Sequence, residues 1–442
     1  MDNNCSTNIL KQYKGYFWLP ENEEKDVPGI LTRYSNQKIE LELFGSFFSD
    51  EKNRYCDFSP KKTPKRVIVI HGLDSDAKKI SLYAIRKSAS LNLSCPFPII
   101  KYRIIYMVYG KHIDDFEKSY RFEAEVEIPE LSAWCPAGLI EHKFQFGNDG
   151  IERIIIESNV QLSKTPIHEQ TLENGVVLKL CGDCYSEQSQ CNIKPILSQS
   201  TKLTISNEKG ISVKEILNIT SKFERFISFA SQIECNYSEI KLLDGDTTQT
   251  TRDGIVHFLP IYLYAERFCN DKIVVSPNYL FYYNDIKENF NTIINNWLSE
   301  NEDWPIVLEH LVDSVILHGG SYSTWFMTVI QGVDGFWQRF REEIYRAEKN
   351  IKTRISLAEE LSVLKKEYSD MFGKSIFRSD NKSIKDTRDF YSHLLKENSE
   401  RKILQGVELY TTTCELKKLL IYCVMKETGF NNSAIKRALE EK

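Results

Sequence analysis

The 442-residue chain contains no run of about 18 or more apolar residues, the length of a membrane-spanning helix, so no membrane span is expected. Its first residues, Met1-Asp2-Asn3-Asn4-Cys5, lack the basic and apolar regions of a secretory leader, which makes the cytoplasm the expected compartment. Positive charge is also short: 57 Lys and Arg stand against 62 Asp and Glu, a net charge of -5. A protein that coats nucleic acid needs a broadly basic face. Any contact with RNA should therefore be local and brief, which suits an enzyme. No Gly-x-Ser-x-Gly elbow occurs, although Ile68-Val69-Ile70-His71-Gly72 and His318-Gly319-Gly320-Ser321 look like pieces of a serine hydrolase. The phosphate-cradling Gly-x4-Gly-Lys-Ser/Thr loop is missing as well, which argues against an NTPase.

The 11 cysteines are scattered and odd in number, as expected of thiols in a reducing compartment. Cys181-Gly182-Asp183-Cys184 has metal-ligand spacing, and Cys191 lies nearby. These three are candidates for a structural zinc site, with His168 or Cys135 as a fourth ligand. The competing reading is a polar hairpin loop that happens to hold thiols. No other cofactor is expected.

What is present divides the chain into three, an α+β organisation with expected boundaries at 1–205, 206–280 and 281–442. The first part reads as β-rich, a sandwich or open barrel. Ile39–Leu43 and Phe122–Ile128 alternate apolar and acidic residues at period two, which puts the glutamates in water and the rest in a core. Arg66–His71 and Lys79–Arg86 read as two strands across a turn at Gly72–Asp76. The middle part is mixed α/β. Ser212-Val213-Lys214-Glu215 is a capping box, and the helix after it carries Ile216, Phe223, Phe226 and Ile227 on one side. The last part reads as an all-α bundle. One long helix is expected over about 323–350, with Phe326, Ile330, Val333, Trp337, Phe340 and Ile344 facing inward. Another follows through Leu357, Leu361, Leu364 and Tyr368.

Within this bundle, Asp386–Leu395 reads as the start of a helix capped by Asp386 or Thr387, and it carries Arg388 and His393 five positions apart. The spacing recurs at Arg66/His71 and Arg252/His257, but the first lies in a strand and the second spans Gly254 beside a Thr-rich loop. Only Arg388/His393 sits among long amphipathic helices. An arginine holds two phosphate oxygens in its planar fork, and a neutral imidazole gives or takes a proton. RNA supplies its own 2′-OH nucleophile, so the pair can in principle cleave a phosphodiester to a 2′,3′-cyclic phosphate and a 5′-hydroxyl without a metal. Asp389 can orient either group. Lys385, Lys396 and Arg401 are candidates for steering phosphates and Tyr391 for stacking on a base, each weighed against exposed decoration or core packing. Asp334 is a candidate polar group facing the cleft, weighed against a solvated acid. Residues 371–402 hold eight Lys/Arg against five Asp/Glu, a modest positive bias.

The Arg-x4-His spacing in a C-terminal bundle resembles the signature of HEPN ribonucleases. The whole chain, with its aromatic opening Gly15–Pro20, its run of strands and Trp134, resembles the ApeA type of anti-phage defence protein. That resemblance implies a HEPN nuclease domain behind an N-terminal sensing region, and a metal-independent endoribonuclease that acts in abortive infection. It implies cellular RNA such as tRNA as substrate, a phage-derived trigger (a protein, on this reading), and a homodimer or higher oligomer with both motifs in one cleft. Five positions turn a regular helix by about 140°, so Arg388 must lie in an irregular first turn or the site must be shared between two motif helices. Leu395 occupies the position that in some HEPN toxins is a modifiable tyrosine, which disfavours that mode of control. The alternative is a non-catalytic HEPN-type protein that binds RNA or protein, or acts as a sensor.

Overall fold

The computed structural model describes residues 8–47, 67–90, 98–147, 150–159, 165–187, 196–245, 248–250, 256–266, 278–299, 303–316, 321–373, 375–396 and 401–440. Strands β1 (Ile9–Trp18), β2 (Val27–Tyr34), β3 (Ile39–Phe44), β4 (Val67–Asp74), β5 (Lys79–Ser90) and β6 (Ile99–Tyr109) open the chain. They pair antiparallel in the order β6-β3-β2-β1-β4-β5, and β5 pairs back with β6 to close a barrel. The alternation seen in sequence drives this closure. Ile39, Leu41 and Leu43 point into the barrel beside Phe17, Leu31, Ile80, Leu82 and Tyr102, while Glu42 reaches Lys101 outside at 2.8 Å. Where β1 crosses β4, Gly72 lies opposite Phe17, and a Cβ there would come within 2.5 Å of the Phe17 ring. Strand β4 runs on to Asp74 rather than turning at Gly72. The Asp74 carboxylate accepts the N–H groups of Asp76 and Lys78, and so places the turn beyond it.

The chain continues through β7 (Ser119–Tyr120), β8 (Phe122–Glu127), α1 (Leu131–Trp134), the hairpin β9 (Ile140–Gly147) and β10 (Gly150–Ser158), and β11 (His168–Thr171). Next come β12 (Val177–Glu187), β13 (Ile196–Ser206), β14 (Ile211–Ser212), α2 (Val213–Ser231), β15 (Glu239–Asp244), β16 (Thr248–Thr250), β17 (Val256–Phe258) and β18 (Ile261–Ala265). The barrel sheet extends from β6 through β18, β15, β8, β13 and β12 to β11. Two strands of the middle segment, β15 and β18, thus bridge the barrel to the rest of the β-rich region. Helix α2 is capped by Ser212, whose Oγ accepts the Glu215 N–H at 3.1 Å. It is buried at Ile216, Ile219, Phe223, Phe226, Phe229 and Ala230.

The helices that follow are α3 (Tyr283–Ile286), α4 (Phe290–Leu298), α5 (Asp303–Ile316), α6 (Tyr322–Phe340), α7 (Glu342–Lys349), α8 (Leu357–Phe372), α9 (Asn381–His393), α10 (Gly406–Thr428) and α11 (Asn432–Glu440). They cover one face of α2, while Lys214, Asn218 and Ser221 stay exposed on another. Trp297 of α4 stacks on Phe229 at 5.5 Å, and its indole N–H donates to the Lys222 carbonyl at 2.9 Å. The sheet extension, α2 and the helical bundle share one continuous core, whereas the barrel has its own.

The single helix expected over 323–350 is two. At Arg341 the backbone leaves the helical region (φ -128°), and the guanidinium turns to Glu427 of α10 at 2.8 Å and lies over the Phe336 ring. The new axis carries Ile344 outward, so this residue is exposed and not inward. A tertiary ion pair, absent from any local pattern, anchors the residue at the break.

Candidate functional site

Helix α9 begins five residues before the sequence signal for it. Its cap is Asp380, whose carboxylate accepts the Ser383 N–H at 2.9 Å and the Ser383 hydroxyl at 2.7 Å. Those bonds hold the Asp380 carboxyl below its usual pKa. Asp386 and Thr387 are therefore helix-interior residues, and Arg388 and His393 belong to the last turns rather than the first. Ser383, Ile384 and Thr387 form the buried stripe. The Thr387 hydroxyl donates to the Ser383 carbonyl at 2.7 Å and accepts the Leu404 N–H at 2.9 Å, tying the chain before α10 to the motif helix. Thr387→Val keeps the shape and removes both bonds. It is expected to destabilise the fold by about 1–3 kcal/mol through the orphaned Leu404 N–H, read as a lowered urea midpoint.

Arg388 lies next to this stripe and a quarter exposed, and it reaches across to α6. Its Nη2 is 4.0 Å from Asp334 Oδ2, and its Nη1 is 3.3 Å from Asp389 Oδ1. Both pairs are longer than tight charge-assisted hydrogen bonds. The Nε–H is buried with no hydrogen-bond partner among the described residues. The long pairs leave the Nη groups donor capacity for an anion, whereas the Nε–H is covered. Asp389 also meets Lys385 at 3.4 Å, one turn back. Asp334 is not a solvated acid: it faces Arg388, and Gln338 donates to its Oδ1.

Glu360 of α8 is a further acid that the sequence reading passed over. Its side chain is 2% exposed. Burial first, then Asp334 and Glu342, push its pKa up to about 8. A signal was available: Glu360 falls on the Leu357–Leu361–Leu364 stripe, where a carboxyl is out of place.

His393 is the last helical residue and is exposed; the backbone after it turns left-handed at Leu394 (φ 48°), whose side chain is 87% exposed. In one regular helix, Arg388 and His393 stand about 7.5 Å apart along the axis and about 140° around it. The irregular-first-turn alternative is thereby removed. Tyr391 is half-buried against the core with its ring on Phe390 at 5.2 Å. Lys396 and Arg401 are exposed.

Residues 12–297 match the family described as ApeA N-terminal domain 1, and residues 327–434 match Apea-like HEPN. The chain belongs to the ApeA family. No curated protein and no solved structure matches it. The matches support an anti-phage HEPN effector family, and HEPN domains are generally ribonucleases. In this ApeA chain the HEPN match takes in Asp334, Glu360, Arg388, Asp389 and His393 together. The N-terminal match ends inside α4, so it includes the barrel, the sheet extension and α2.

Elsewhere in the ApeA chain, Cys181 and Cys184 lie on one strand, β12, three positions apart and so on opposite faces, not in a loop. The Cys181 thiol is raised in pKa by burial and receives a hydrogen bond from Thr204. Cys191 lies outside the described residues. Cys135 is buried and pushed up to about 12, and His168 is held by Tyr283 and Asn291. Among the described residues no three His, Cys, Asp or Glu are grouped to hold a metal. Arg66, Arg252 and 317–320 also fall outside the described residues. No described helix is long and apolar enough to cross a membrane. A groove of about 1060 Å³ lies away from the motif, along α2, lined by Lys214, Asn218, Ser221 and Arg225 with Tyr106 and Glu266.

Proposed function

We propose that this ApeA-family protein is a metal-independent endoribonuclease that cleaves cellular RNA, tRNA among it, when its N-terminal region senses a phage component. The observation that carries the reading is Arg388: a guanidinium whose Nη groups make only long pairs, to Asp334 and Asp389, inside the HEPN match. Arg388 binds the scissile phosphate and stabilises the phosphorane charge. His393 moves the proton between the 2′-OH and the leaving 5′-oxygen. Because Arg388 and His393 diverge on one helix, the site is completed by the motif helix of a second chain across a two-fold axis. Lys385, Lys396, Arg401 and Tyr391 line the approach of the RNA. The deciding experiment incubates purified protein with total RNA in EDTA and maps the ends. The expected products carry 2′,3′-cyclic phosphate and 5′-hydroxyl termini; intact RNA in the presence of the trigger would leave the non-catalytic binding reading.

The α2 groove supports the sensing part. One face of α2 lines it, and the other packs on Trp297 at the start of the bundle. A trigger seated there meets a helix already embedded in the nuclease half. Asn218 is exposed on the groove side. Asn218→Trp is expected to abolish infection-dependent growth arrest while leaving the melting temperature unchanged. Normal arrest in phage-challenged cells would move the trigger site elsewhere.

A further inference from the structure

His71 on β4 and His112, just past the end of β6, stack face to face, with ring centres 4.4 Å apart and planes 3° from parallel. Trp18 meets the stack edge-on, 5.5 Å from His112. Each ring is held by the backbone of the other's segment. His71 Nε2 is 3.1 Å from the Ile113 carbonyl, and His112 Nε2 is 3.0 Å from the Gly72 carbonyl. A carbonyl only accepts, so both Nε2 atoms carry a proton. Ser81 of β5 adds to the grip: its Oγ donates to the Lys111 carbonyl at 3.2 Å and accepts the Ile113 N–H at 2.8 Å. The two histidines and Ser81 thus pin residues 110–116 to the barrel. The same segment sends Ile113 and Phe116 into the core shared with the bundle. Glu117 follows it directly and pairs with Lys214 at 2.7 Å beside the α2 groove.

We propose that the stacked histidines are a pH-sensitive clasp, which holds residues 110–116 on the barrel while His112 is neutral and releases them when His112 takes up a proton. The titratable groups that face the stack are Asp114, which lies 3.4 Å from His71 Nε2 and is 81% exposed, Lys79 at the start of β5, and Glu23 between β1 and β2. A proton on His112 sets a cation in a covered position against the His71 ring, on the same side as Lys79. Burial is the largest cause that lowers the His112 pKa; His71 and Lys79 add to it, against the Gly72 carbonyl and Glu23. Stability from the neutral ring is therefore complete above the ordinary histidine value of 6.5 and is lost as pH falls below it through the lowered one.

The test is hydrogen exchange on the full chain, in wild type and His112→Gln, read as protection factors at about pH 7.5 and about pH 5.5. Glutamine keeps an N–H for the Gly72 carbonyl and does not titrate. The reporters are the amides of Gly110 and Ile113, which donate to the Lys79 carbonyl and to Ser81 Oγ. In wild type their protection, relative to that of β8, is expected to fall about tenfold between the two pH values. That is the limit for one imidazole of ordinary pKa that takes its proton only when the clasp is open. In His112→Gln the protection stays within about threefold. An equal loss in both proteins overturns the proposal. If His112→Gln does not fold, wild type decides by itself: protection that changes by less than about threefold overturns it. The readout does not involve RNA cleavage, so failure of the ribonuclease reading leaves it intact.

Discussion

Arg388→Ala and His393→Ala are each expected to reduce RNA cleavage by about 10²–10⁴-fold, the usual worth of a positioned acid–base group or of a preorganised charge. The two should differ in their cost to the fold. His393 is exposed at the end of α9, so its loss leaves packing intact. Arg388 is three-quarters covered and lies between two carboxylates, so alanine leaves Asp334 and Asp389 with less compensation. A loss of about 1 kcal/mol is expected there, since both ion pairs are long and partly wet. Arg388→Lys is the useful control. It keeps the charge but not the planar fork, and should recover little activity if the arginine grips a phosphate through two oxygens. Initial rates on a defined RNA, with urea unfolding beside them, separate chemistry from stability. Cleavage that survives either alanine substitution within about threefold would refute the assigned chemistry.

Trp297→Ala should be the most damaging single change to the fold, at about 3–5 kcal/mol. The indole is buried, stacks on Phe229, meets Phe226 edge-on at 5.2 Å and satisfies the Lys222 carbonyl. Truncation opens a cavity and removes the indole's hydrogen bond to the Lys222 carbonyl. The cavity lies where the sheet extension, α2 and the bundle meet in one core, so hydrogen exchange should rise in all three together. The barrel packs on separate residues, from Phe17 to Met107, and should keep its protection. Loss confined to α4 and the bundle would mean that the two halves are coupled more loosely than their packing implies. The point bears on the proposed sensing, since that core joins the two halves.

Much of this architecture was legible in the chain. Period-two alternation at Ile39–Leu43 and Phe122–Ile128 placed strands with the correct face inward, and the Ser212–Glu215 box marked the start of α2. The amphipathic spacing of Leu357 to Tyr368 located α8. These signals are local: side-chain periodicity and caps act within a turn or a strand, so they can be read from neighbours. The helix start at Asp380 was missed because Asp386 and Thr387 are also good capping residues, and only burial of Thr387 against Leu404 shows that they lie inside the helix. Nothing local marks the break at Arg341, whose ion-pair partner Glu427 lies 86 positions away in the chain, the difference between the two residue numbers.

By itself, then, the sequence determined which residues pair up in short-range patterns, and it singled out Arg388 and His393 by their setting among amphipathic helices. Only the tertiary structure decided that β5 returns to β6 to close a barrel, and that Asp334 faces Arg388. It also decided that one core joins the two halves. The physical reason is the range of the forces. Periodicity sets which face of an element is apolar, but the choice of which faces meet comes from burying them together, a sum over residues far apart in the chain.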